Sequence, residues 1–431
     1  MSKEENRKNF SKYVSQNILG MIGFSCYVLA DSYFISIAKG ADGLTALNLV
    51  MPLYSIIFSI GEMIGVGSAI RYAISKIKKD ADADDYFWNA LIWCILSSML
   101  FVFAGIFFSA DIMRVLGADE HIVAVGNNYT KIFMCFAPMF MCNYVTNAFV
   151  RNDGAPGIAM SATLFSSLFN IVFDYILMFP MNLGMEGAAL ATALSPIIGM
   201  GICSIHFFSK KSSVRLVACK PSVRKLVAGC QLGVSAFVGE MSSAVITLAF
   251  NFVILKLAGN VGVAAYGVVA NIAIVTTAVF NGVAQGSQPL ISSCFGRGDK
   301  DGCTQLKRMG YTTAFVLAAV MYSILFIFAG QFVAVFNSEG SEMLRLYATE
   351  GVKLYFIGIF FAGINIVGGG AFSATEDAFK AAVVSVARGF VLILGAVFVM
   401  SAFFGMTGVW LAYAVAEGIT TFIMLVMAMR V

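Results

Sequence analysis

Charge is scarce in this sequence: 12% of its 431 residues are Asp, Glu, Lys or Arg, about half of what a soluble domain carries. Too few charged side chains remain to cover a water-facing surface, which excludes an ordinary soluble globule. Histidine is scarcer still. The two present, His121 and His206, leave haem ligation or a zinc-hydrolase site little to build on. No G-x-x-x-x-G-K-[ST] stretch occurs, which removes the usual ATP-hydrolysing loop. The nine cysteines show neither C-x-x-C pairing nor metal spacing and read as small buried hydrophobes. Clustered His, or Ser with His and Asp, is also missing, so a membrane-embedded enzyme lacks its reactive groups. The net charge of +4 forms no basic face for nucleic acid.

What fills the sequence is apolar: 59% of it is hydrophobic. Runs longer than about 18 residues recur along the chain, each able to cross about 30 Å of hydrocarbon. They are continuous rather than alternating, so helices are expected, not a β-barrel. The runs predict about twelve spans: 13–38, 44–74, 86–108, 122–149, 156–179, 186–208, 226–256, 262–294, 308–331, 345–372, 378–403 and 407–429. Residues 1–12 read as a polar N-terminal tail. The run after them is too long for a signal-peptide core and lacks a small-residue cleavage pattern, so the first span is expected to be retained. With the N-terminus inside, all but six of the 28 Lys and Arg fall on or near the inner side. Both termini are therefore expected in the cytoplasm.

The chain reads as written twice. Its longest internal polar break, residues 209–225, lies almost at the midpoint. It separates a six-helix unit at 13–208 from another at 226–431. An even number of spans per unit makes the repeats parallel. GMEGAALATA at 184–193 aligns with GMTGVWLAYA at 405–414, and a register shifted by 219 positions pairs Gly43 with Gly262 and Gly67 with Gly286. The expected fold is an all-α membrane protein of two parallel-repeat six-helix bundles around a central cleft. Gly61 to Gly65, Gly229 to Gly233 and Gly282 to Gly286 have the spacing that lets helix backbones approach closely.

Against this background the intramembrane polar residues stand out. Asp31 interrupts SCYVLADSYFISIAKG, and a carboxylate at mid-bilayer costs roughly 2.5–3.5 kcal/mol. Asn170 and Asp174 are four apart and share a helix face, as do Ala188 and Thr192. At 1.5 Å rise per residue, Asp31 and Asp174 lie about 17 and 18 residues above the inner face, and Thr192 about five below the outer one. These groups can meet in the outer half of the first bundle. Two carboxylates, an amide, a hydroxyl and a helix-start carbonyl are hard oxygen ligands suited to sodium, and paired acids can equally share a proton. The competing reading is an interhelical hydrogen-bond network without an ion. Glu240, near mid-span in the second half, is a candidate for a second ion or a cationic substrate. Glu62 and Glu417 divide between bundle-interior pairing and function. Arg388, Lys131 and Lys353 are expected to snorkel toward helix ends.

The stretch at 147–195, with R-x-D-G-x-P, then N-x-x-x-D-Y and G-x-x-G-A-A-x-A-T, resembles the fourth-to-sixth-helix signature of the multidrug and toxic compound extrusion (MATE) transporters. VLADSYFIS resembles their first helix, and residues 265–299 their eighth helix and following loop; the resemblance covers essentially the whole chain. It implies secondary active efflux of organic, often cationic, compounds across a bacterial inner membrane by alternating access, against inward protons or sodium. It implies no cofactor and no ATP, drug-like small molecules and lipid as partners, and a monomer. The family's ion site carries over to Asp31, Asn170, Asp174 and Thr192, with the Ala188 carbonyl and Asn147 as further members. Glu240 matches an acid that some members use in a second-bundle cation site. Where some of those members carry an aspartate in the tenth helix, this chain has Asn365, which favours the first bundle for coupling. A lipid-linked-precursor flippase of the wider superfamily is the alternative; such proteins often carry a strongly cationic cleft, and acids rather than arginines dominate the spans here.

Overall fold

The computed structural model describes residues 3–215, 217–336 and 341–429. These are almost entirely helical, because in hydrocarbon each backbone N–H and C=O must find its partner within its own segment. Twelve crossing-length helices follow one another among the described residues. The first six are α1 Lys3–Gly40, α2 Asp42–Lys78, α3 Asp85–Val115, α4 120–152, α5 Pro156–Met178 and α6 Gly184–Phe207. The second six are α7 223–258, α8 260–296, α9 Lys300–Ile327, α10 Glu342–Ala374, α11 378–404 and α12 406–429. Helix α4 bends by 46° between Glu120–Cys135 and Ala137–Asn152, where Pro138 removes a donor and opens the second segment.

The duplication is written into the backbone. Gly40 and Gly259, 219 positions apart, break their helices at φ 59° and 61°. Gly184 and Gly405 take φ 52° and 58°. Positive φ recurs at Lys79 and Gly298, 61° and 72°, and at Gly154 and Glu376, 89° and 60°. Each pair falls within three positions of the offset seen in the sequence.

One large apolar core fills each bundle. The exchange between them is reciprocal. Phe10 and Val14 of α1 pack in the core of the second bundle, while Leu232 of α7 packs in that of the first. Helix α1 begins at Lys3, inside the stretch read as a polar tail, because Phe10 and Asn6 are buried and Asn6 Nδ2 donates to Gln305 Oε1 at 3.1 Å. The bundles are thus joined at the face that carries the chain termini. There a Cβ on Gly282 would lie 2.6 Å from Ile18 Cα, one on Gly286 would lie 2.8 Å from Val14 Cα, and one on Gly233 would collide with the Met63 carbonyl. Gly61 and Gly65 instead press on Met141 and Tyr144 of α4, inside the first bundle. On the same face Glu376 of the second bundle pairs with Arg71 and Lys78 of the first. Lys225 of α7 reaches Asp85 at 2.5 Å and Asp82 at 3.0 Å, and its hydrogen bond holds the Asp82 carboxyl, in the turn between α2 and α3, below the usual carboxylate range.

The strand of chain between the bundles is strapped to the first one. Asp153, buried in the turn after α4, accepts from His206 Nε2 at 2.8 Å, the Ser213 N–H at 2.9 Å, Ser212 Oγ at 3.1 Å and Tyr72 OH at 3.1 Å. Ser222 N–H donates to Asn89 Oδ1 at 2.7 Å.

Candidate functional site

Helices α1, α5 and α6 build the first polar cluster. Asp31 and Asp174 are buried, Asn170 and Asp174 completely so, and the two carboxylates lie within electrostatic reach of each other. Asn170 sits between α5 and α6. In the amide orientation that satisfies its neighbours, its nitrogen donates to Asp174 Oδ2 at 3.1 Å and its oxygen accepts from the Thr192 N–H at 3.2 Å and hydroxyl at 3.1 Å. Ala188, fully buried, lies one turn before Thr192 on the same face of α6. One oxygen of each acid, Asp31 Oδ1 and Asp174 Oδ1, is buried without a hydrogen-bond partner in the protein. A buried polar atom left in this condition is costly, and each has lone pairs to offer a proton or a small cation. No group of three or more His, Cys, Asp and Glu converges among the described residues. Oxygen ligands from acid, amide and hydroxyl are therefore the ones on hand.

Asn147 is not brought to this pair. Its side chain donates to the Ala159 carbonyl and to Thr163 Oγ1, both at 3.2 Å. Thr163 is three turns before Asp174 on α5, about 16 Å away along the axis. Instead Asn147 lines a cavity between the bundles, with about 990 Å³ of empty space counting its open mouth. Glu240 lines it too, and so does Glu62, the two carboxylates within electrostatic reach of each other. Phe24, Tyr27, Phe58 and Tyr144 supply aromatic wall. On this cavity a polar chain crosses from bundle to bundle and back. Arg151 Nη1 of α4 donates to Gln285 Oε1 of α8 at 2.7 Å, and Gln285 Nε2 donates to Glu62 Oε1 of α2 at 3.2 Å.

Tyrosines connect the two places, and sequence reasoning missed them. Tyr27 lines the cavity one turn before Asp31 and feels the charges of Asp31, Asp174 and Glu240. Tyr54 and Tyr129 share a hydrogen bond within reach of the same acid pair. The available signal was a hydroxyl in the middle of an apolar span, which needs a partner when buried.

Arg388 corrects an expectation. It does not snorkel to a helix end; its side chain is 16% exposed, and its guanidinium grips Glu417 through Nη2 at 2.7 Å and Nε at 3.1 Å. Snorkelling needs a free path to water, and a carboxylate buried one helix away is the nearer partner. Lys131 is exposed and Lys353 half-buried.

Comparison with known proteins agrees with this architecture. The MatE family profile matches residues 17–176 and again residues 236–399, once per bundle. The multidrug export protein MepA of Staphylococcus aureus (strain MRSA252) is 27% identical over 414 residues, covering 93% of this chain and 89% of MepA. A solved structure of a multidrug-resistance MATE family transporter of the MOP superfamily, in an outward-facing conformation, superposes with a TM-score of 0.92 at 20% identity, covering 99% of this chain and 96% of that one. A MOP superfamily transporter from Pyrococcus furiosus, described as having a binding pocket of reversed polarity, gives 0.91 at 20% identity and the same coverage. With both halves matched by one family and the two-bundle fold in place, the chain belongs to the MatE family of membrane transporters, and it is not an enzyme.

Proposed function

We propose that the protein is a secondary active multidrug efflux transporter, exchanging organic, often cationic, compounds for inward-moving protons or sodium ions. The observation that carries this reading is the Asp31–Asp174 pair: two buried acids, each with an oxygen unpartnered in the protein, Asp31 one helical turn from Tyr27 on the wall of a cavity with two more carboxylates. Asn170, Thr192 and the Ala188 carbonyl complete an oxygen set for either ion. Glu240 and Glu62, among aromatic rings, suit an amphiphilic cation. A strongly basic cleft, which a phosphorylated lipid would want, is not what lines the cavity; Arg151 is its one cation among the described residues.

Units 13–208 and 226–431 would rock about the cavity. Their closure at the termini-bearing face supports an outward-facing state if that face is cytoplasmic, as the distribution of Lys and Arg implies. Ion and drug must prefer different arrangements of the bundles, since a ligand shifts an equilibrium only by its differential affinity. One net inward charge, as when a neutral compound leaves in exchange for one ion, supplies about 2.3 kcal/mol per 100 mV, enough for roughly fortyfold accumulation at 1.4 kcal/mol per decade; a monovalent cation exchanged one-for-one moves no net charge and draws on the ion's concentration gradient alone.

The test is efflux of a fluorescent cation from proteoliposomes holding wild-type, Asp31→Asn or Asp174→Asn protein, under a pH gradient and a sodium gradient imposed separately. One gradient should drive the wild type, and the variants should bind drug while losing at least tenfold in driven efflux. Variants that pump like the wild type would make the pair structural.

A further inference from the structure

The second bundle holds its own buried polar cluster, and its chemistry is complementary to that of the first. Glu417 of α12 is 2% exposed. Both its carboxylate oxygens are engaged: Oε1 by Arg388 Nη2 at 2.7 Å and Nε at 3.1 Å, Oε2 by Asn365 Nδ2 at 2.7 Å and Arg388 Nε at 3.3 Å. Asn365, on α10, also donates to the Glu417 carbonyl at 2.9 Å and accepts from Thr421 Oγ1 at 3.0 Å. Helices α10 and α12 thus bring together an acid, an amide, a hydroxyl and a carbonyl, and α11 adds a guanidinium. A buried carboxylate held in this way is a hard oxygen ligand for a monovalent cation, and what faces it is a guanidinium.

The backbone is shaped to deliver that guanidinium. Residues 387–391 form a π-turn inside α11, a widened turn that proteins place at working sites. Gly389 seats it against α7, where an added Cβ would lie 2.6 Å from Ser242 Cβ. The first bundle leaves Asp31 Oδ1 and Asp174 Oδ1 without protein partners, whereas both carboxylate oxygens of Glu417 are taken.

We propose that Arg388 is a tethered cation, its guanidinium filling the monovalent-cation position at the Glu417 carboxylate, which Asn365 holds in place and Thr421 supports through Asn365. The site in the second bundle is therefore permanently loaded, and exchangeable ions are confined to the first. This last consequence rests on the proposed ion-coupled transport; occupation of the site by Arg388 does not.

Thermal unfolding of purified protein tests it at equilibrium, with no transport needed. Sodium chloride is titrated against N-methylglucamine chloride for wild type, Arg388→Ala and Arg388→Ala/Glu417→Gln, and millimolar methylguanidinium is tried on the same three. Arg388→Ala is expected to gain a saturable stabilisation by sodium or methylguanidinium, half-maximal at a concentration at least tenfold below any response of the wild type, and the double variant to lose that gain. A folded Arg388→Ala protein that responds to both cations as the wild type does would overturn the proposal. Should that variant fail to fold, the neutral pair Arg388→Met/Glu417→Gln decides, since replacing both partners of a buried ion pair is often tolerated. Ion-driven efflux within twofold of wild type is expected from it. Efflux that persists but no longer responds to the ion gradient would overturn the inference, and would do so without touching the transport reading itself.

Discussion

At the scale of single residues, the R-x-D-G-x-P stretch shows how one short motif serves several tasks. Arg151 faces the cavity, Asp153 anchors the strap between the bundles, Gly154 turns the chain at φ 89°, and Pro156 opens α5. Replacing Asp153 by Ala removes an acceptor shared by four side chains and a backbone N–H, and strands His206 in a buried place. The expected loss is about 3 kcal/mol or more, read as a lowered midpoint in thermal unfolding, with Asp153→Asn losing less. Asp31, Asn170 and Asp174 were legible in the sequence because an acid or amide inside an apolar run has no cheap place to go. Arg388 was not. Depth along a helix says how far a charge lies from water, yet nothing about which neighbour its face meets, and the π-turn that aims it leaves no mark in composition. Asn147 entered only through the motif, and motif membership does not say which polar groups meet; its side chain bonds Thr163 and lines the cavity instead.

At the scale of helices, the sequence located nearly every span but misjudged some ends. Helix α1 runs ten residues further toward the N-terminus than its apolar stretch, since Phe10 and Asn6 are covered by the second bundle, and contact across the repeat is not encoded locally. The small-residue spacings were legible as tight packing; which helices they join was not. Gly233 now has a definite partner in the Met63 carbonyl, and Gly286 one in Val14. Gly233→Leu should prevent α2 and α7 from closing, because a side chain there meets backbone that cannot rotate away. Amide exchange in residues 63–71 and 229–236 should then quicken by at least tenfold relative to wild type, while residues 156–178 keep their protection. Uniform protection in the variant would mean that the bundles adjust elsewhere.

At the scale of the whole molecule, two bundles with separate cores meet, among the described residues, through polar bridges that include Gln285 between Arg151 and Glu62, Glu376 with Arg71 and Lys78, Lys225 with Asp82 and Asp85, and Asn6 with Gln305. The duplication was visible as faint sequence registers, and it became firm only in the matched left-handed residues, since backbone conformation outlasts side-chain identity. Among those pairs Glu376 is the odd member. Its sister, Gly154, is a glycine that accepts φ 89° freely, whereas Glu376 carries a side chain at φ 60°, a conformation that costs of order 1 kcal/mol or more. Glu376→Gly would release that strain and at the same stroke cut the ion pairs with Arg71 and Lys78. Its thermal midpoint should stay within about two degrees of wild type, while spin labels placed across the termini-bearing face should show the bundles further apart. A large drop in the midpoint with unchanged spacing would refute the separation. With that outcome the position would act as a dial that turns shape without turning durability: selection could retune the resting posture of the transporter here by a single codon, leaving the yield of folded protein almost untouched.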